Sequence, residues 1–72
     1  MNREIIIKNA AIDMIIYEKT KRVIASLGYS SDTKIYVKDK DLKLLVSDEN
    51  NIDRIKKVLL ENNINSTYVE IG

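Results

Sequence analysis

The opening of the chain carries Ile5-Ile6-Ile7 inside residues 3–8. A short continuous run of β-branched residues suits a strand covered on both faces. Asn9 can then cap a helix over residues 10–27. On a 3.6-residue period Ile12, Ile16, Val23 and Leu27 share one face, with Ile15 at its edge. Lys19 interrupts that stripe, and its stem can lie along apolar surface while the charge reaches water. Gly28 stands where a left-handed residue ends a helix.

Ser30-Ser31-Asp32 reads as a polar connection. Residues 33–38 alternate, with Ile35 and Val37 inward and Lys34, Tyr36 and Lys38 outward, as in a half-buried strand. Asp39-Lys40-Asp41 makes a hairpin loop; without Asn-Gly or Asp-Gly it reads as longer than two residues. Residues 42–47 form a more apolar strand, with Leu42, Leu44 and Val46 inward and Lys43 and Leu45 outward. Ser47-Asp48-Glu49-Asn50-Asn51 offers N-caps and acidic residues for the positive end of a helix. Ile52, Ile55, Val58 and Leu59 are the stripe of that second helix, which ends near Asn62-Asn63. Residues 66–71 alternate again, with Thr67, Val69 and Ile71 inward and Ser66, Tyr68 and Glu70 outward.

The order strand, helix, strand, strand, helix, strand predicts an α+β domain of the ferredoxin-like βαββαβ kind, with both helices on one face of an antiparallel sheet. The first and third strands are the most apolar, which places them in the centre. The rival arrangement is αββαβ, with one long N-terminal helix from about Asn2 to Leu27; Ile5 then shares a stripe with Ile12 and Ile16, but Ile6 and Ile7 point away from it.

At 72 residues, 44% hydrophobic and 32% charged, the chain reads as one globular domain over residues 1–72. It contains no His, Cys, Pro or Trp. That removes thiolate and imidazole metal ligands, disulfides, thiol redox chemistry and Cys–His catalysis, and no side chain titrates near neutrality unperturbed. Gly28 and Gly72 are the only glycines, so no phosphate-binding loop exists. Asp39, Asp41, Asp48 and Glu49 lack the frame of a calcium loop and read as loop and capping charges. Ser30 and Ser31 have no His to activate them, and Lys19, Lys21 and Arg22 read as a wet helix face. The expectation is a protein that is not an enzyme and holds no metal or cofactor.

No apolar run is long enough for a signal-peptide core or a membrane span, so the expected location is cytoplasmic. Heavy use of Ile, Lys and Asn fits an A/T-rich bacterial genome, or a phage or mobile element of such a host. With a net charge of +1, neither a polyanion mimic nor a strongly basic nucleic-acid binder is announced.

The strongest functional signal is the sheet face away from the helices. It gathers Ile6, Tyr36, Leu45 and Tyr68 at its centre and Lys34, Lys38 and Lys43 around them, joined by Glu4, Lys8 and Glu70. An apolar, aromatic centre inside a polar rim is the anatomy of a protein-binding surface. The expectation is therefore a small inhibitor, adaptor or accessory subunit that docks a protein partner, or a second copy as a homodimer, by this face or by an edge strand. The alternative is weak nucleic-acid binding by the same lysines and tyrosines. It is disfavoured because RNA-binding sheets stack bases on central strands, whereas these tyrosines fall on the edges.

Overall fold

The structure is a computed structural model that describes residues 2–29 and 32–71. The connection at Ser30 and Ser31, and the side chain of Ile71, lie outside what is described. Among the described residues there are four strands, β1 (Asn2–Ile7), β2 (Thr33–Lys38), β3 (Asp41–Val46) and β4 (Thr67–Ile71), and two helices, α1 (Met14–Ser26) and α2 (Ile52–Glu61). The strands form one antiparallel sheet in the order β2-β3-β1-β4. The strands β1 and β3 are central, as expected. Residues 2–7 are a strand, which overturns the long N-terminal helix of the rival arrangement.

The register fixes the faces. Directly paired residues of an antiparallel sheet point to the same side. Ile35, Leu44, Ile5 and Tyr68 form one row across all four strands, and Val37, Leu42 and Ile7 form the next. These rows meet the helices: Ile5, Ile7, Leu42, Leu44 and Val46 share one core with Val23 and Ile24 of α1, Ile52, Ile55 and Leu59 of α2, and Ile64.

The first helix begins later than its apolar spacing implies. Asn9 turns the chain at φ 61° and gives no side-chain cap. A single 3-10 turn, Ala10–Ile12, follows; its Ala11 N–H donates to the Lys40 carbonyl at 3.0 Å, and the Asn9 N–H donates to Asp41 Oδ1 at 3.0 Å. Asp13 then caps α1 by accepting from the Ile15 and Ile16 amides. The turn rotates residues 12 and 15 out of the core: Ile12 is 66% and Ile15 71% exposed. Thr20, Val23 and Ile24 are buried instead, with Ile16, Tyr17 and Leu27 packed beside them. Burial of Thr20 is satisfied locally, because its hydroxyl donates to the Ile16 carbonyl at 2.9 Å. Gly28 ends the helix with φ 76°, as its position requires.

Three further expectations need correction. The hairpin loop is only two residues, Asp39 and Lys40, because Lys38 pairs with Asp41 and Asp39 supplies the positive φ that the tight turn needs. Val37 is on the helix side, but its strand is the sheet's edge and the side chain is 52% exposed. Tyr68 pairs with Ile5 and Glu70 with Arg3, so both lie on the helix side, while Thr67 and Val69 face away from it. The second helix follows expectation: Asp48 caps a 3-10 turn (Glu49–Asn51) leading into α2, Ile52, Ile55 and Leu59 are buried, and Asn63 takes φ 62° beyond the C-terminus.

Candidate functional site: the open face of the sheet

Two rows of side chains cross the face opposite the helices. Lys34, Leu45, Glu4 and Val69 make one, and Tyr36, Lys43, Ile6 and Thr67 the other. Of the seven residues singled out in the sequence, Ile6, Lys34, Tyr36, Lys38, Lys43 and Leu45 come together here. Tyr68 does not. It sits on the other side beside α2, next to a shallow depression of about 240 Å³ lined with Glu49, Ile52, Asp53 and Lys56. Its hydroxyl donates to Glu70 Oε1 at 3.3 Å. Partial desolvation and the Glu70 charge push the Tyr68 phenol above its ordinary value.

The centre of the open face is a polar network. Glu4 is 2% exposed although no helix covers it. Its carboxylate accepts a hydrogen bond from the Tyr36 hydroxyl and lies 3.5 Å from Lys43 Nζ. Tyr36 and Glu4 stand on strands separated by β3, roughly 10 Å apart at two strand spacings. The Tyr36 ring must therefore lie across β3 to reach Glu4, with its row neighbour Lys43 supplying the counter-charge. Glu4 ends up beneath tyrosine and lysine, flanked in its own row by Leu45 and Val69. Hydrogen bonding to Glu4, then partial burial, then the Glu4 charge hold the Tyr36 phenol above its ordinary value, so it is a neutral donor at physiological pH.

The sequence puts Glu4 on this face but not at its centre, and it puts Val69 on the opposite face. Glu4 carried a usable signal, since it alternates with Ile5 on a central strand and faces a tyrosine and a lysine from its neighbours. Val69 was hidden by one step of register on β4.

Around this centre the charges are unequal. Glu4 is matched by Lys43, and Asp41, opposite Lys38, is engaged by the Asn9 amide. Among the described residues neither Lys34 nor Lys38 has a carboxylate within 4 Å. On the helix side, Arg3 holds Glu49 at 3.1 Å, which ties β1 to the start of α2. A separate apolar exposure lies where α1 begins: Ile12, Met14 and Ile15 are 66%, 65% and 71% exposed. Among the described residues no group of three or more acidic side chains could hold a metal ion, and no helix is long and apolar enough to cross a membrane.

No protein-family model, no curated protein and no solved structure matches the chain.

Proposed function

We propose that the protein is a non-enzymatic interaction module, ferredoxin-like in arrangement and cytoplasmic, which binds a protein partner through the open sheet face and acts as an inhibitor, adaptor or accessory subunit. The observation that carries this reading is the uncovered face itself. Both helices pack on the opposite side, and the open side joins Ile6, Leu45 and Val69 with the Tyr36 ring in two adjacent rows. The strand order β2-β3-β1-β4 supports the ferredoxin-like arrangement. Interaction sites combine apolar and aromatic side chains with a polar rim; here the apolar groups surround the Glu4–Tyr36–Lys43 network, and Lys34, Lys38 and Thr67 form the rim.

Size constrains the mode of docking. At about 4.8 Å between strands and about 3.4 Å per residue, four short strands present roughly 350 Å². A specific interface takes roughly 800 Å² from each partner. Contact must therefore run past the face onto an edge or a loop. A second copy would use the same surface and compete with the partner. Nucleic acid is the weaker reading, because Tyr68 lies on the helix side and leaves Tyr36 as the single tyrosine on this face, its ring bonded to Glu4.

A photo-crosslinking side chain at Thr67, on the open face, against one at Lys57, on the exposed side of α2, tests this in lysate of the source organism. A discrete protein adduct from position 67, resistant to nuclease and missing from position 57, is the expected result. Equal labelling from both positions, or adducts lost with nuclease, would refute it.

A further inference from the structure

Resting on the interaction role above, we infer that the outer edge of β2 takes an acidic, extended segment of the partner as a fifth strand. The backbone provides the first reason. Lys38 and Asp41 close a two-residue loop and so exchange both of their main-chain hydrogen bonds. Alternation makes Tyr36–Lys43 and Lys34–Leu45 bonded pairs as well. The N–H and C=O groups of Ile35 and Val37 then project away from the sheet. Among the described residues no other element bonds to them. Alternating donors and acceptors at about 7 Å intervals are matched by another extended peptide and not by a row of phosphates.

Charge provides the second reason and chooses the occupant. Residues on an added strand that face Lys34, Tyr36 and Lys38 are i, i+2 and i+4 of one extended segment. The outer two meet exposed lysines without carboxylate partners, and the middle one stands beside the base of Tyr36, whose ring leans the other way across β3. The matching pattern is acidic, any, aromatic or apolar, any, acidic, which reads alike in both strand directions. A second copy of the chain with Tyr36 opposite Tyr36 does not match. Two β2 strands paired about a two-fold axis, with Tyr36 opposite Tyr36, set Lys34 against Lys38 twice, and like charges directly opposite destabilise a pair. Edge lysines guard a sheet against self-pairing for this reason. The other edge, β4, carries Glu70 on the helix side, away from the Lys34–Lys38 face.

The probe is an end-blocked peptide with the core Glu-Val-Tyr-Val-Glu, titrated into the isotope-labelled full chain and followed by amide spectra and exchange. Binding should slow exchange at Ile35 and Val37 and shift β2. Replacing both glutamates of the peptide by lysine should weaken binding about tenfold, the scale of two cross-strand charge pairs. Val37→Pro should abolish binding, since its N–H makes no bond within the sheet and an edge strand tolerates proline there. The double variant Lys34→Glu/Lys38→Glu should reverse the peptide preference, and it keeps the test sound if Val37→Pro fails to fold. Unchanged exchange at Ile35 and Val37 with peptide at about 1 mM, or binding indifferent to charge, overturns the inference. So does a dimer that Val37→Pro dissolves, because the edge would then take a second copy. Crosslinks from position 67 with a silent β2 edge remove only this inference. A responsive edge without such crosslinks removes the face instead.

Discussion

Lys43→Met should destabilise the protein more than Glu4→Leu, although both break the same ion pair. Two unit charges 3.5 Å apart attract by about 5 kcal/mol at an effective dielectric constant of about 20. Desolvation of the carboxylate offsets part of this. Glu4 has a side chain 3% exposed and cannot reach water when Lys43 is gone; the Tyr36 hydroxyl still serves it. Lys43 is 17% exposed and can swing outward when Glu4 is gone. Removing one partner of a buried pair costs about 3–5 kcal/mol, and the remaining tyrosine bond lowers the figure here to about 2–3 kcal/mol. Glu4→Leu should cost about 1 kcal/mol, for the tyrosine donor left unmet. Glu4→Leu/Tyr36→Phe/Lys43→Met removes every member together and should fall within about 1 kcal/mol of the parent. For a chain of 72 residues total stability is about 4–11 kcal/mol, so Lys43→Met should lower Tm by about 10–20 °C. Urea unfolding followed by far-ultraviolet circular dichroism measures all four proteins. A Lys43→Met loss below about 0.5 kcal/mol, or a triple variant less stable than Lys43→Met, would refute the buried network.

Two further outcomes test the core and the titration of the open face. Ile24→Ala should cost about 2–5 kcal/mol, because Ile24 is 1% exposed, whereas Ile12→Ala, at a side chain 66% exposed, should stay within about 0.5 kcal/mol; equal losses in urea unfolding would put the first helix in the wrong phase. Because the Tyr36 phenol is raised in the folded state, its contribution is complete below the unfolded value of 10.0 and is lost as pH rises through the folded one. The gap in urea midpoint between the parent and Tyr36→Phe should hold from pH ~7 to ~9 and shrink above ~10; a constant gap up to about pH 11 would show that the hydroxyl does not donate to Glu4.

The residues that read correctly in the sequence are those where one physical demand dominates. Ile5, Ile7, Leu42, Leu44 and Val46 are apolar on the two strands that the sheet and helices enclose, so their inward faces admit no alternative. Ile52, Ile55 and Leu59 repeat at helical spacing behind an acidic cap, and they are buried as read. Misreadings cluster where two demands compete. In α1, the apolar residues 12 and 15 promised an earlier start, but the left-handed turn at Asn9 and the bonds from Asn9 and Ala11 to the hairpin fix the chain's path before the helix begins. Asp13 then sets the phase, and a threonine able to bond its own helix takes a core position. On β4, polar and apolar residues alternate cleanly, but alternation says only that two faces differ. Pairing with β1 decides which face is which, and at an edge strand either choice leaves its side chains partly wet. Tyr68 can flank α2 with its hydroxyl at Glu70, while Val69 completes the row with Leu45 and Glu4. The same step of register changes the character of the candidate site. Tyr68 at the open centre would have made an aromatic surface able to stack bases. With Val69 in its row, the centre is a carboxylate held by tyrosine and lysine among aliphatic neighbours, and the unmatched charge falls to Lys34 and Lys38 on the edge. That distribution favours a partner that brings backbone and carboxylates together, which a protein strand does and a nucleic acid does not.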